Sequence, residues 1–361
     1  MTPEKPPPIV WLLLGDKIGD NAQALALEKR LGVTTVHKRL QYRAAKLPNP
    51  LKGISRTTLA PTSSDLLQPP WPDLVIATGR RSVPIARWIR KQSGGVTKLV
   101  QIGRPRAASS MFDLVLTTPQ YRMDPASNVL ELPVPFTPLT RDQLDTEATQ
   151  LTTIWQDLPG PRIAVLVGGE SSTSHISPVA GERLGEQASQ LAEAMGGSLM
   201  VLSGRRTLPE TMTSLSQAIT CPFHQHPWKS GDAKNPYVGV LGMADAVIVT
   251  TDSASMLADA LITEKPVMTF EVPTQPRRST DRLTDKLSQS ERSPVRSLAH
   301  HGWVSLPRQM DLLVEGLVTR GLVRSLNNVL ETGEGLPQAS PMSELESLWQ
   351  NAVDQISCLL D

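Results

Sequence analysis

Two regions of the sequence begin in the same way, with a short apolar run, a glycine-containing loop and then a helix. The first apolar run covers residues 9–14 and its loop covers 15–21, while the second run covers 163–167 and its loop covers 168–175. Further apolar runs alternate with segments of helical periodicity after each start. Strands that alternate with helices form parallel sheets covered on both faces. The pattern therefore predicts an α/β protein with two parallel-sheet domains.

A proline-rich break, PVPFTP at residues 133–138, separates the two regions. The length of 361 residues also suits two domains of ordinary size. We expect an N-terminal domain at 1–138, a linker helix at 139–160, a second domain at 161–340 and a C-terminal helix at 341–361. We further expect the amphipathic C-terminal helix to pack back on the N-terminal domain.

Charge and cysteine content narrow the classes of function. The net charge of +1 comes from 36 basic and 35 acidic residues, which argues against bulk electrostatic binding to nucleic acid. Cys221 and Cys358 lie far apart without metal-ligand spacing, so neither a disulfide framework nor a metal site is expected. No apolar run reaches the length of a signal peptide or a bilayer span. We therefore expect a cytoplasmic protein, with residues 43–72 and 273–296 as candidates for peripheral membrane contact.

The segment VIVTTDSASMLADALITEKPVMTF at residues 247–270 predicts a strand, a helix and another strand. Hydroxyl and carboxyl side chains at residues 250–253 surround the start of the helix. A helix start offers free backbone N–H groups and a positive dipole end, which suit a phosphate. A capped βαβ unit without a ligand fits the same residues, so this segment alone leaves both interpretations open.

Glycines and arginines follow other predicted strands. The loop GDKIGDN at 15–21 allows close approach of a ligand to the backbone, but it lacks the dinucleotide and Walker patterns. A tight turn with a helix cap explains this loop equally well. Arg80, Arg81, Arg104 and Arg106 also come directly after predicted strands. Arginines concentrated at strand ends of a nearly neutral chain indicate an anionic ligand rather than a polyanion.

A set of motifs carries a resemblance to a known family. They are GDKIGDNAQALALEKRLG at 15–32, ATGRRSVPIARWI at 77–89, GRPRAASSMFDLVLTTP at 103–119, VLVGGESS at 165–172 and VTTDSASMLADALITEKPVMTF at 249–270. In this order they resemble the mitochondrial fission (elongated-mitochondria, ELM) family, which is grouped with the GT-B glycosyltransferases. The resemblance implies a GT-B-like fold, with two Rossmann-like domains facing a cleft. It also implies a nucleotide-sugar donor on the second domain and an acceptor on the first.

The resemblance assigns roles to individual residues. Asp20 is the expected catalytic base, because it stands where GT-B enzymes place the group that takes the proton of the acceptor hydroxyl. The expected donor-binding residues are Gly168, Gly169, Ser172, Arg205, Thr251, Asp252, Ser253, Ser255 and Asp259. The expected residues on the acceptor and phosphate side are Gly15, Lys17, Gly19, Asn21, Arg80 and Arg104. Asp259 takes the place of a ribose-binding Glu and is one methylene shorter.

No metal or other cofactor is implied, because helix N-termini and basic side chains offset the charge of a leaving diphosphate. The expected partners are a nucleotide sugar, for which UDP is the guess, and a saccharide or lipid-linked acceptor, without nucleic acid. Two alternatives stay open. A nucleotide-sugar epimerase would need two opposed acid/base residues, of which the sequence nominates only one clearly. A non-catalytic, membrane-associated adaptor of the fission type would keep the fold without turnover.

Overall fold

The computed structural model describes residues 6–43, 49–64, 66–151, 153–171, 174–232, 235–272, 279–288, 290, 293–339 and 341–361. The chain folds into two compact units. The first domain consists of Met1–Pro138, Arg278–Arg308 and Glu346–Asp361, and the second consists of Leu139–Arg277 and Gln309–Leu345.

The bounds of the regular elements are as follows. The strands are β1 (Val10–Leu14), β2 (Thr35–Arg39), β3 (Leu74–Thr78), β4 (Lys98–Ile102), β5 (Leu114–Thr117), β6 (Val129–Glu131), β7 (Arg162–Val167), β8 (Ser198–Ser203), β9 (Phe223–His226), β10 (Ala246–Thr250), β11 (Val267–Phe270) and β12 (Arg324–Ser325). The helices are α1 (Ile18–Leu31), α2 (Asn49–Lys52), α3 (Pro61–Ser64), α4 (Gly79–Gln92), α5 (Arg141–Thr149), α6 (Thr153–Gln156), α7 (Pro178–Ala194), α8 (Pro209–Ala218), α9 (Tyr237–Met243), α10 (Ala254–Leu261), α11 (Ser279–Leu287), α12 (Pro294–His300), α13 (Met310–Thr319), α14 (Leu326–Thr332) and α15 (Met342–Ser357). Short 3₁₀ turns cover Ser109–Met111 and Pro119–Tyr121.

The first domain contains a six-stranded parallel sheet with the strand order β2-β1-β3-β4-β5-β6. All five residues of β1, VWLLL, are buried, which is typical of a parallel strand covered on both faces. Helix α1 follows β1 and ends at Gly32, whose left-handed φ of 64° places its N–H on the carbonyl of Glu28. Trp11, Val75 and Ile85 belong to the core between the sheet and its helices.

The second domain contains its own six-stranded parallel sheet, with the order β12-β11-β10-β7-β8-β9. Ile163, Val201 and Ile248 on three of these strands are buried and pack with Leu184 of α7. Residues 174–194 run from a loop into helix α7, which packs against this sheet. The second domain therefore repeats the strand, loop and helix arrangement of the first. The two sheets confirm the predicted α/β class with two Rossmann-like domains.

Strand order identifies where ligands bind in such sheets. Successive crossovers turn to opposite sides of the first strand of each domain, which creates a crevice at the carboxyl ends of two neighbouring strands. In the first domain the pair is β1 and β3, and in the second it is β7 and β10. Loops after these four strands are therefore the places to examine for a site.

The observed domain division differs from the predicted one at residues 278–308, which were expected in the second domain. Ion pairs with Arg122 and Asp124 help to hold this segment to the first domain. Arg122 donates to the carboxylate of Asp285 at 2.5 Å, and Arg296 donates to Asp124 at 2.6 Å. The segment 273–296, a candidate for peripheral membrane contact, contains α11 and the start of α12, while residues 273–278, 289, 291 and 292 lie outside the described part of the chain.

The expected linker helix at 139–160 is divided into α5 and α6, and both belong to the second domain. Helix α5 packs closely on α9, where a Cβ at Gly242 would lie 2.2 Å from the carbonyl oxygen of Leu144. The segment 221–236 contains the edge strand β9. Its sequence FHQH carries no apolar run, which is why periodicity missed it.

The C-terminal helix α15 packs on the first domain from residue 346 onwards. Trp349 is fully buried and stacks on Phe136, with the ring centroids 5.7 Å apart. The Trp349 indole N–H donates to the carbonyl of Val134 at 3.5 Å. Arg30 of α1 pairs with Glu346 at 2.7 Å. An aromatic anchor with an ion pair at its margin thus joins the end of the chain to this domain.

Candidate functional site

A pocket lies at the switch point of the first domain, where the loops after β1 and β3 meet. Its lining consists of Gly15, Asp16, Lys17, Asp20, Asn21, Tyr42, Thr78, Gly79, Arg80 and Arg81. The expected base Asp20 therefore shares the pocket with the predicted acceptor-side residues Gly15, Lys17, Asn21 and Arg80. Gly19 is exposed on the first turn of α1 and does not line this pocket, and neither does Arg104.

Asn21 holds the loop after β1 in place. Its side-chain oxygen accepts from the N–H of Gly15 at 3.0 Å, and its amide donates to the carbonyl of Gly15 at 2.8 Å. A Cβ at Gly15 would lie 3.0 Å from the ring of Tyr42, so only glycine fits there without displacement. Asn21, predicted to bind a ligand, is thus a positioning residue for the pocket wall.

Asp20 stands on the first turn of α1, where a carboxylate is stabilised by the helix dipole. A Cβ at Gly79 would lie 2.9 Å from the Asp20 carboxylate, and Gly79 has a left-handed φ of 70°. Lys17 pairs loosely with Asp20 at 3.6 Å, and the Asp20 side chain keeps 33% of its surface exposed. The carboxylate is therefore held by the two loops and remains open to the pocket.

The remaining charged and phenolic groups of the pocket have defined partners. Arg81 pairs with Asp16 at 3.0 Å, while Arg80 adds a further positive charge to the lining. Burial, reinforced by the negative charge of Asp16, raises the pKa of Tyr42 well above its usual value. Tyr42 is therefore a protonated phenol at neutral pH. The pocket thus holds the carboxylate of Asp20, and that of Asp16 paired with Arg81, beside a wall that also carries Lys17 and Arg80.

The second switch point, between β7 and β10, is organised by bonds within the protein. Thr250 accepts from the N–H of Gly168, and Asp252 accepts from the N–H of Gly169, each at 2.8 Å. A Cβ at Gly169 would lie 2.2 Å from the backbone of Arg206. Both N–H groups thus already have acceptors within the domain, and the role of Gly168 and Gly169 as a phosphate cradle stays a prediction.

Two predicted donor-binding side chains also have internal partners. The Thr251 hydroxyl is buried and accepts from the N–H of Val272 at 3.0 Å, which ties β10 to the end of β11. The Asp259 carboxylate accepts from the Tyr237 hydroxyl at 2.9 Å, and burial next to Asp259 raises the pKa of Tyr237 well above its usual value. These contacts place Thr251 and Asp259 in the framework of the domain.

The other predicted donor residues surround the start of α10. Ser253 caps this helix by accepting from the N–H of Met256 at 3.4 Å, and Ser255 is exposed on its first turn. Arg205 is exposed in the loop after β8. Ser172 lies outside the described residues. First-turn N–H groups have no intrahelical acceptor, so the beginning of α10 is where this domain can meet an anion.

The carboxylate of Asp252 at this second site is only partly hydrogen-bonded. Within the described residues, its second carboxylate oxygen is buried without a hydrogen-bond partner. Burial raises the pKa of Asp252, although the N–H of Gly169 and the charge of Arg206 act in the opposite direction. A partly desolvated carboxylate beside a helix start disfavours a second negative charge there.

Tyr121 and Arg308 at the first-domain edge escaped the sequence prediction, which named Arg104 and Arg106. Arg104 donates to the backbone carbonyl of Tyr121 at 3.1 Å rather than entering the Asp20 pocket. Arg308, far along the chain, lies over the ring of the same tyrosine at 5.9 Å. No sequence spacing connects these residues, since Arg308 reaches the first domain through the segment 278–308. The spacing of arginines after β4 was the one available signal, and it pointed to Arg104 and Arg106.

Among the residues that the structure describes, no group of three or more His, Cys, Asp or Glu side chains could hold a metal ion. The helices over the same residues include none with the length and apolar character needed to cross a bilayer.

The chain is similar to known proteins in both structure and sequence. MurG of Acinetobacter baumannii is similar in structure, with a TM-score of 0.48 and 13% identity over 98% of this chain and 99% of that one. The uncharacterised protein RP120 of Rickettsia prowazekii (strain Madrid E) is 23% identical over 73% of this chain and 83% of its own length.

A plant protein is similar over a shorter stretch. The mitochondrial fission protein ELM1 of Arabidopsis thaliana is 29% identical over 223 residues, or 54% of this chain. The match spans 51%, about half, of the plant protein's length. The profile of the family described as mitochondrial fission ELM1 matches residues 18–303, which run from the start of α1 through α12 and include β7 and β10 of the second switch point. The chain therefore belongs to the mitochondrial fission ELM1 family.

Proposed function

We propose that this protein is a metal-independent glycosyltransferase that moves a sugar from a nucleoside diphosphate to a hydroxyl of an acceptor. The observation that carries the proposal is the position of Asp20. Its carboxylate is held between two loops at the switch point of the first domain and stays open to a pocket with a cationic wall. A carboxylate placed in this way suits a general base.

The donor belongs on the second domain in this proposal. The diphosphate meets the first turn of α10, where Ser255 and the free N–H groups are exposed, and Arg205 supplies a positive charge. The internal bonds of Gly168, Gly169 and Thr251 keep this edge rigid rather than contacting the ligand. A UDP sugar remains the first donor to try.

Asp20 acts on the acceptor in this proposal. It takes the proton of the acceptor hydroxyl as the hydroxyl oxygen forms a bond to the anomeric carbon. The bond from that carbon to the diphosphate oxygen breaks, and the nucleoside diphosphate leaves with its electron pair. Helix dipole and arginine charge offset the leaving group, so the reaction needs no metal ion.

Ligand binding and turnover test the proposal separately. Thermal shift and saturation-transfer NMR against UDP, GDP, CMP and ADP sugars are expected to identify one nucleotide class that stabilises the protein. For that donor, Asp20→Asn is expected to keep binding and to lower release of the nucleoside diphosphate by about 10²–10⁴-fold, the usual contribution of a general base.

Glu28→Gln is the matched control, because it removes a carboxylate from the same helix about two turns away. It is expected to leave release of the nucleoside diphosphate unchanged. Unchanged release in Asp20→Asn would remove Asp20 from the mechanism. Conversion of the donor to its epimer without diphosphate release would favour an epimerase, and no response to any nucleotide sugar would contradict an enzyme of either kind.

A further inference from the structure

A group of arginines converges on one tyrosine at the carboxyl edge of the first-domain sheet. We name Arg104, Arg106 and Arg308, together with Tyr121, the arginine cluster. Arg104 and Arg106 follow β4, and Tyr121 closes the 3₁₀ turn after β5. Arg104 donates to the carbonyl of Tyr121 at 3.1 Å, while Arg308 lies 5.9 Å from the centre of the Tyr121 ring. Three guanidinium groups are therefore gathered at the ends of neighbouring strands.

The carboxylates near this group are already paired with other cations. Asp124 is bound by Arg296 at 2.6 Å and lies 3.6 Å from His300. Asp285 is bound by Arg122 at 2.5 Å. In the described part of the chain, no carboxylate forms an ion pair with Arg104, Arg106 or Arg308. The cluster thus carries positive charge that no ion pair among the described residues neutralises, although Asp124 partly offsets the charge of Arg104.

The guanidinium groups of Arg104 and Arg106 are also partly buried. Burial lowers the pKa of Arg104 and of Arg106 to about 10 each. Repulsion from Arg104 and Arg308 adds to the shift at Arg106, while at Arg104 the nearby charge of Asp124 opposes it. Even at that value both guanidinium groups stay charged at neutral pH. Partly buried charges of the same sign repel one another and oppose folding. A bound anion would relieve this repulsion, so the arginine cluster is suited to bind one.

The backbone holds Arg106 in an unusual conformation. Its φ of 52° lies in the left-handed region, which is uncommon for a side chain of this size. Gly302, with a φ of 83°, packs so closely that a Cβ there would lie 1.8 Å from the Arg106 carbonyl oxygen. The segment 278–308 therefore contributes Arg308 and also fixes the turn that presents Arg106. Strain of this kind is often found at ligand sites.

The cluster adjoins the Asp20 pocket. Arg80, which lines that pocket after β3, lies close enough to Arg106 to repel it electrostatically. Tyr121 likewise senses the negative charge of Asp20. Strands β3, β4 and β5 are neighbours in the sheet, and adjacent strands are about 4.8 Å apart. A ligand of roughly 5–10 Å can therefore reach from Asp20 to the arginine cluster.

We propose that the arginine cluster binds a phosphate or diphosphate group carried by the acceptor, so that the acceptor is a phosphorylated saccharide or a lipid-linked diphosphate. The inference rests on the proposed function, because it assigns the acceptor hydroxyl to Asp20. Guanidinium groups match phosphate oxygens in bidentate geometry and stay charged, which suits a diphosphate better than a neutral sugar. The tyrosine positions Arg104 and Arg308 around the anion.

Inorganic pyrophosphate and farnesyl diphosphate are the probes, titrated into the full chain by calorimetry. Both are expected to bind, and Arg106→Gln and Arg308→Gln are each expected to weaken pyrophosphate binding about tenfold or more, as loss of a charge-assisted contact does. Lys91→Gln removes the same charge from the exposed, opposite end of α4 and is expected to change the affinity less than twofold. Tighter binding of farnesyl diphosphate would identify a lipid-linked acceptor, and equal binding a water-soluble phosphosaccharide.

The donor nucleotide provides the decisive comparison. Its affinity, measured by thermal shift, is expected to be the same in Arg106→Gln, Arg308→Gln and the unaltered protein. Pyrophosphate affinity that is equal in all variants would overturn the inference, and so would parallel weakening of nucleotide and pyrophosphate, since the cluster would then hold the donor. Failure of the proposed function is recognised differently, by the absence of any nucleotide-sugar binding or turnover.

Discussion

The switch points of the two domains use polar residues in opposite ways. In the first domain, Asp20 and the nearby arginines line a pocket, and only part of their charge is balanced inside the protein. In the second domain, the N–H groups of Gly168 and Gly169 and the Thr251 hydroxyl all have partners in the same domain. Polar groups in a loop thus need not be ligand contacts, because the backbone of a buried loop must itself be satisfied.

The difference has an energetic consequence. The first switch point carries charge that a bound ligand can neutralise. At the second switch point the polar groups of the loops are hydrogen-bonded to one another, and the start of α10 is exposed. Substitutions in the second framework are therefore expected to act mainly on stability. Substitutions around the first pocket are expected to act mainly on turnover and anion affinity.

Gly169→Ala should produce the largest change in stability. The added Cβ would lie 2.2 Å from backbone atoms of Arg206, which cannot rotate away as a side chain can. We expect a loss of about 3 kcal/mol in the free energy of unfolding, the upper range for overpacking. Urea denaturation followed by circular dichroism measures it.

Gly15→Ala is the matching substitution in the first domain. Its Cβ would meet the ring of Tyr42 at 3.0 Å, and a ring edge can shift by a few tenths of an ångström. The loss is expected to be clearly smaller than for Gly169→Ala. Equal losses at the two positions would contradict the view that the second switch point is the more rigid framework.

Strands with continuous apolar runs could be predicted from the sequence. Side-chain contacts between residues that are distant in the sequence could not. β1 and β10 are buried throughout, and their apolar sequences predict strands. The hydroxyls near β10 were also recognisable, but their orientation was not, since Thr251 turns to Val272. Likewise, Asp259 faces Tyr237 because of helix phase and packing on α9, which no local motif encodes. Asp20 entered the pocket as expected because its loop and helix start are local features.

Gly79→Ala should separate turnover from stability at the first switch point. Its φ of 70° makes alanine unfavourable by about 1–2 kcal/mol, and the new Cβ would lie 2.9 Å from the Asp20 carboxylate. We expect that moderate loss of stability together with at least tenfold slower release of the nucleoside diphosphate, since a small displacement of a base is enough to slow catalysis.

Gly32→Ala supplies the control for backbone strain. Gly32 has a similar φ of 64°, but nothing lies within 4 Å of a Cβ built there. Its substitution should lower the stability by about the same 1–2 kcal/mol and leave turnover unchanged. If both variants slowed turnover equally, the effect would come from destabilisation and not from the Asp20 carboxylate.

Asp252→Asn tests the charge at the second switch point, with a smaller expected effect. Burial raises the pKa of Asp252 in the folded protein above that of the unfolded chain. The stability that this group contributes is therefore present at acid pH and is lost as the pH rises through the raised pKa. Asparagine can still accept from Gly169 through its amide oxygen and carries no charge. At pH 7 we expect the variant to be more stable by on the order of 1 kcal/mol, with the gain shrinking towards pH 4, in thermal melts across that range.

The same substitution should tighten nucleotide binding at pH 7 by several-fold, because it removes a negative charge beside the first turn of α10. Asp16→Asn is the counterpart in the first domain, where an exposed carboxylate pairs with Arg81 and a change of about 0–1 kcal/mol is expected. If Asp252→Asn lost stability at every pH, the carboxylate would be a required partner of Gly169 and Arg206. The second switch point would then be stabilised by that charge, and its contrast with the open carboxylate of Asp20 would rest on solvent access alone.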